Sequence, residues 1–214
     1  MKARGTVVAL LGAESTGKTV LAAALGNALA VEGRDAVVVG EYLREFCDRE
    51  GRTPRRDEQS GIAAEQTCRI EAAARTHELV IADTTALMIA VYSDKVFGDI
   101  GLYASAIDAH RACDLTLVTA LDLPWQADGL QRDGPQVREP VDAMLRAALA
   151  RAGIGYSVVA GSGPARLAAA LQATTHALAL PPAEDESAAN PRWQWVCERC
   201  GDVACERHLL PRPG

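Results

Sequence analysis

The chain has 214 residues and a net charge of −6, and 49% of its residues are hydrophobic although only 4% are aromatic. That length holds one α/β domain of ordinary size plus an appendage. The acidic balance without a face-sized basic cluster excludes nucleic acid as the main partner, and no apolar run approaches the ~20 residues of a membrane span. Alanine fills the place of the missing aromatics, so helices packed closely through small side chains are expected. The start, Met1-Lys2-Ala3-Arg4-Gly5, is basic but leads into a strand and a glycine loop rather than a signal peptide. A cytoplasmic protein is expected.

Residues 6–11, Thr-Val-Val-Ala-Leu-Leu, read as a buried strand. They run into Gly12-Ala13-Glu14-Ser15-Thr16-Gly17-Lys18-Thr19, the Gly-x-x-x-x-Gly-Lys-Thr of a phosphate-binding loop, and then a helix over 18–31. Strand, loop and helix in that order are the context the motif requires. Glycines let the loop curl until its N–H groups face phosphate oxygens, and the helix N-terminus adds partial positive charge there. Gly12, Glu14, Ser15, Thr16, Gly17, Lys18, Thr19 and Val20 are therefore the expected ATP-binding set. Within it Lys18 reaches the β- and γ-phosphates and the Thr19 hydroxyl holds Mg2+.

A second strand over 36–40 ends in Glu41-Tyr42-Leu43-Arg44-Glu45. In a doubly wound sheet this tip lies beside the phosphate loop and faces the phosphoryl acceptor. Glu41 could accept the proton of an attacking hydroxyl and Arg44 could neutralise developing phosphate charge; the alternative is an exposed charged turn. Arg52, Arg55 and Arg56 form the only dense basic patch, which reads as a solvated loop. A long helix over 54–77 follows, with Thr53 as its N-cap and Pro54 at its first position. The third strand, 79–82, carries Asp83 at its tip, where a P-loop needs a second acid for Mg2+. Asp83 could also cap the next helix, over 85–97, and the two roles are compatible.

A helix over 102–111 precedes the fourth strand, 115–120. The loop from Asp122 to Glu139 has glycine and proline hinge points after Trp125, with Arg132 and Arg138 spaced across it. That is the composition of a mobile lid which brings cations over a triphosphate. Trp125 and Asp128 could contact the acceptor, or Trp125 could anchor the core. A helix over 137–152, a strand over 156–160 and a helix over 164–178 close the domain, and the turn 161–166 could wrap an adenine base. The alternation predicts a doubly wound, five-stranded parallel α/β sheet of P-loop kinase type, with its ligand at the carboxyl ends of the strands. Thr119-Ala120-Leu121-Asp122 stands where a guanine-reading GTPase would carry Asn-Lys-x-Asp. The chain is also short for a large mechanochemical ATPase module, and a small-molecule kinase fits its size.

Taken together, the phosphate loop with its embedded Glu14-Ser15, Glu41-Tyr42-x-Arg44-Glu45, Gln66, Asp83-Thr84, Trp125-x-x-Asp128-Gly129-Leu130 and Arg138 resemble the nicotinamide riboside kinase domain of bacterial NadR-type proteins over about residues 5–178. The resemblance implies transfer of the γ-phosphoryl of ATP to the ribose 5′-hydroxyl of nicotinamide riboside, a step of NAD biosynthesis. It also implies Glu41, Tyr42, Gln66, Trp125 and Asp128 as acceptor-binding residues. Two departures stand out. Gln131 occupies the position of the family's arginine after Asp-Gly-Leu, with Arg132 one place later, and the loop is a residue shorter. Arg132 and Arg138 are therefore both candidates for the lid cation, with the choice between them open. No His-x-Gly-His adenylyltransferase motif accompanies the kinase segments, which suggests a stand-alone kinase. Other readings remain: a kinase for a different nucleoside or nucleotide, or a regulatory ATP-binding module.

Cys47, Cys68 and Cys113 are scattered singly and read as small buried or half-buried thiols. After residue 180 the composition turns to proline and acid without periodicity, a linker over 181–192 between a domain over 1–180 and a tail over 193–214. In the tail, Cys197, Cys200, Cys205 and His208 have Cys-x2-Cys-x4-Cys-x2-His spacing. Four ligands of those types complete a tetrahedron, so a structural zinc knuckle is expected. The alternative is an unstructured tail with reducible thiols.

Overall fold

A computed structural model describes residues 4–126 and 134–179. Asp128, Arg132, the linker 181–192 and the tail residues Cys197, Cys200, Cys205 and His208 lie outside the described residues. The chain divides into two units, Met1–Ala179 and Leu180–Gly214, and the first is the one described below.

Five parallel strands form one sheet in the order β2-β3-β1-β4-β5: β1 Thr6–Leu11, β2 Ala36–Val39, β3 Leu79–Asp83, β4 Leu115–Thr119 and β5 Ser157–Val159. The central β1 pairs with β3 through Val8 and Ile81, and with β4 through Leu10 and Leu117. The three inner strands are almost wholly buried, which explains the apolar runs of β1 and β3 and the mainly apolar β4. The short edge strands β2 and β5 keep partly exposed valines. Seven helices cover the sheet: α1 Lys18–Val31, α2 Tyr42–Glu50, α3 Gln59–Thr76, α4 Ala86–Phe97, α5 Tyr103–His110, α6 Arg138–Arg151 and α7 Gly163–Ala179.

Strand alternation sorts the core into two layers. Val8, Leu10, Leu79, Ile81 and Leu117 pack against Leu21, Leu25 and Leu29 of α1 and Ala170 of α7. The intervening Val7, Val80 and Ala82 meet Ile70 and Ala74 of α3, and Leu11 and Val118 meet α4 and α6 through Leu87, Val91, Val141 and Leu145. Small residues set the spacing, as the composition suggested. A Cβ on Gly26 of α1 would stand 2.7 Å from Val38 Cγ2, so helix and edge strand approach closely only with glycine there. No helix among the described residues is long and apolar enough to cross a membrane.

Three local expectations are corrected. The charged segment after β2 is not a turn but the helix α2, which buries Phe46 and Cys47 and ends at Gly51 with φ 66°. The long helix does not begin at Thr53 and Pro54. A short 3-10 turn, Arg56–Glu58, precedes α3, which starts at Gln59. Charge pairing fixes that entry: Arg52 grips the Glu58 carboxylate at 2.6 and 2.7 Å, and the Arg55 N–H donates to it at 2.7 Å. The Arg52 guanidinium, then the Arg55 amide, hold the Glu58 carboxyl down to about 2. The basic patch is accordingly paired rather than simply solvated, with Arg56 also 3.1 Å from Asp99. Third, Asp83 does not cap α4. Thr85 does, its hydroxyl accepting the Leu87 N–H at 3.3 Å.

Candidate functional site

The chain leaves β1 through Gly12 at φ 147°, where a Cβ would meet Thr119 Oγ1 at 2.1 Å. Only glycine passes there. Ser15 (φ 55°) and Gly17 (φ 75°) take left-handed conformations that close the loop onto α1. No side chain caps α1, so the N–H groups of its first turn are open to an anion, reinforced by the helix dipole. The loop is braced from within and without. Thr16 Oγ1 donates to the Ala13 carbonyl at 2.8 Å, and Thr119 Oγ1 lies 2.7 Å from Thr16 Oγ1. Arg166 of α7, only 4% exposed, donates to the Thr16 carbonyl at 2.8 Å and to Asp122 Oδ1 at 2.8 Å. The Lys18 ammonium donates to the Ala13 carbonyl at 2.9 Å.

A cavity of about 610 Å3 opens from this loop toward α2 and α4. Its lining brings together Glu14 to Val20, the Glu41–Arg44 pair and the turn carrying Arg55 and Arg56, with Met88, Tyr92, Val96 and Phe97 of α4 as an apolar wall. Glu41 is the N-cap residue of α2, and its Oε2 is 3.8 Å from Arg44 Nε. The Cys47 thiol also touches the cavity; burial first, and then the Glu41 carboxylate, raise it above its ordinary value, so it is not a thiolate nucleophile.

Other expected site residues stand behind this lining. Gln66 is fully buried in α3 and accepts the Tyr42 N–H at 2.8 Å while donating to the Gly40 carbonyl at 3.2 Å. It thereby fixes the β2–α2 corner that carries Glu41. The Tyr42 ring lies under the Arg69 guanidinium, 4.4 Å from ring centre to carbon. Trp125 does not line the cavity. Its indole N–H donates to Glu14 Oε1 at 2.9 Å, and the Gly134 N–H reaches the same oxygen at 3.2 Å. Both flanks of the expected lid are thus tied to the phosphate loop.

Asp83 ends β3, paired in register with Leu10 of β1, and is 2% exposed. Its Oδ1 is buried without a hydrogen-bond partner among the described residues. A buried carboxylate oxygen in that state is costly unless a cation is supplied, and a hard divalent ion takes such oxygens readily. Asp83 therefore fits Mg2+, while Thr19, the other expected ligand, lines the cavity. Arg138, the first residue of α6, is 8% exposed and keeps Nε and Nη2 buried without partners among the described residues, a cation waiting for an anion.

The sequence reading gave no such role to several contributors, although Thr84 and Arg166 fall inside segments that it names. Thr84 lines the cavity with φ 77°, a strained conformation for a β-branched residue that costs about 1–3 kcal/mol. Tyr92 accepts the Glu14 N–H at 3.1 Å. Gln59 enters the cavity from α3, and Arg166 braces the loop from 150 residues away. No local pattern announces any of them; only the Gly-Lys-Thr neighbourhood carries a signal of its own.

A family described as AAA domain matches residues 7–166. No curated protein matches the chain. Among solved structures, a NadR protein in complex with NR is similar with a TM-score of 0.68 at 20% identity, over 84% of this chain and 53% of that one. A NadR protein in complex with NAD and AMP-PNP gives 0.63 at 19% identity, over 84% and 51%. The chain therefore spans about half the length of these structures, and the likeness is one of fold. Since the matched stretch runs from β1 through the phosphate loop to Arg166, the residue that closes that loop, the chain belongs to the AAA domain family and carries a P-loop nucleotide-binding domain.

Proposed function

We propose that the protein is an ATP-dependent phosphotransferase that moves the γ-phosphoryl group onto the ribose 5′-hydroxyl of nicotinamide riboside. The observation that carries this reading is the Glu41–Arg44 pair opening on the same cavity as Lys18 and Thr19. A carboxylate and a guanidinium opposite a phosphate loop are what a hydroxyl acceptor needs. Further support comes from the fold shared with NadR structures that hold NR, or NAD with AMP-PNP.

In this mechanism Glu41 orients the ribose hydroxyl and takes its proton as the new O–P bond forms and the β–γ bridging oxygen departs with ADP. Lys18 neutralises charge on the β- and γ-phosphates, and Arg44 and Arg138, with Arg132 from the lid, do so on the transferring group. Mg2+, held by Thr19 and Asp83, supplies further charge neutralisation when bound. Phosphoryl transfer asks mainly for positioning and charge stabilisation. Tyr42 and Gln66 act through Glu41, by fixing its corner, Trp125 acts through Glu14, which its indole N–H holds, and Asp128 meets the acceptor from the lid. The reading includes a cytoplasmic location, the division into a domain over 1–180, a linker over 181–192 and a tail over 193–214, and one structural zinc on Cys197, Cys200, Cys205 and His208, which metal analysis of the purified full chain tests.

The test is release of ADP by the full chain with ATP, Mg2+ and a panel of acceptors. Nicotinamide riboside is expected to give the highest kcat/KM. A higher value for uridine, cytidine, thymidine or a nucleoside monophosphate would keep the kinase and overturn the acceptor. ATP hydrolysis indifferent to every acceptor would favour a regulatory nucleotide-binding module instead.

A further inference from the structure

Gln59, the first residue of α3, lines the cavity although it is only 5% exposed. No hydrogen bond engages its side-chain amide among the described residues. Gln66 on the same helix shows the contrast, with both ends of its amide spent on backbone groups. Its amide atoms are not sealed off without a partner, so they open on the cavity, where water serves them until a bound molecule takes its place. Here the group faces a cavity, so a bound molecule can satisfy it. A primary amide presents a donor and an acceptor in one plane, and its natural counterpart is another planar donor–acceptor edge. The lining it shares with Leu43, Met88, Val96 and Phe97 offers apolar contact for a flat ring.

We propose that Gln59 is a specificity-determining residue that reads a carboxamide on the acceptor's ring. This rests on the reading of the cavity as an acceptor site for nicotinamide riboside. The Gln59 N–H donates to the carboxamide oxygen, and the Gln59 carbonyl accepts from the carboxamide N–H. A carboxylate in the same place offers no donor, and an unsubstituted ring offers neither partner. With the carboxylate the Gln59 carbonyl is left facing an acceptor, and with the unsubstituted ring both ends of the amide stay unpaired inside the complex, which is how a polar site rejects a near-isostere.

The experiment compares the full chain with its Gln59→Leu variant, with ATP and Mg2+, on three acceptors: nicotinamide riboside, the same riboside with a carboxylate in place of the carboxamide, and the riboside of unsubstituted pyridinium. In the unaltered chain each analogue is expected to lose about ten- to a hundredfold in kcat/KM. In Gln59→Leu the three acceptors should differ by less than about threefold, with the loss for nicotinamide riboside falling on its KM and the KM for ATP unchanged. The variant should melt close to the parent, because leucine keeps the volume and the amide it replaces opens on the cavity. Equal discrimination in both chains, or none in the unaltered chain, would overturn the role of Gln59. Failure of the unaltered chain to phosphorylate any of the three would overturn the acceptor reading itself, and the ring assignment with it.

Discussion

Lys18 and Asp83 carry opposite charges and opposite debts to the fold. Lys18 is half-buried and donates to the Ala13 carbonyl, a backbone group that Thr16 Oγ1 also serves. Its removal should therefore leave stability nearly unchanged. For activity, the loss of one cation facing a transition state is worth about 3–4 kcal/mol. Lys18→Ala is expected to lower turnover at least a hundredfold with an unaltered melting temperature. Activity within threefold of the parent would contradict the phosphate-loop assignment. Asp83 is the reverse case, a buried carboxylate with an orphaned oxygen. Asp83→Asn removes a charge that the native chain holds at a cost, so without ligands the variant should be more stable by about 1 kcal/mol. It should also need far more Mg2+ for any turnover. A variant that melts lower than the parent and keeps its Mg2+ dependence would show that Asp83 is a structural group.

At the scale of elements, the parts of the fold legible in the sequence are those whose signal is local. The inner strands are rich in Val, Leu and Ile, unbroken by polar residues over 7–11 and 79–82, and both the strand β1 and the helix α1 fall on their expected limits. The segment after β2 was illegible as a helix because it is mostly charged. Its formation depends on Phe46 and Cys47 finding Ile62, Ala86 and Ile89 across the fold, which is tertiary information. The start of α3 was displaced for a similar reason, since Arg52 and Glu58 pair across the turn and outweigh the Thr-Pro signal. Of the site, the phosphate loop and the Glu41–Arg44 pair could be read ahead, while Gln59, Thr84 and Arg166 matter only because distant strands bring them in. The junction of α4, α5 and β4 gives a further test. His110 of α5 lies 3.0 Å from the Thr85 hydroxyl that caps α4 and 2.9 Å from the Thr116 hydroxyl of β4. Burial pushes its pKa down from 6.5 to about 4. Between those values the unfolded chain takes up a proton that the folded chain refuses, so stability falls as pH falls through that window, by at most about 1.4 kcal/mol per pH unit. Below about 4 the folded form is protonated as well and this slope ends. Urea denaturation at pH 7 and pH 5 should show the loss in the parent and a smaller one in His110→Asn; equal losses would remove His110 as its source.

On the scale of the whole molecule, the phosphate loop is written near one end of the chain and finished near the other. Residues 12–19 supply its amides, but the Thr16 carbonyl is held by Arg166, 150 residues later, which is itself steadied by Asp122 at the end of β4. On the ribosome the glycine motif is made 150 residues ahead of its brace. Until α7 has been made and has packed on β4 and β5, the nascent loop keeps the contacts of Thr16, Lys18 and Thr119 but lacks the Arg166 grip on the Thr16 carbonyl. Full nucleotide affinity then arrives with the last helix of the domain, and a ribosome-stalled chain ending before residue 166 should bind ATP far more weakly than one released beyond α7.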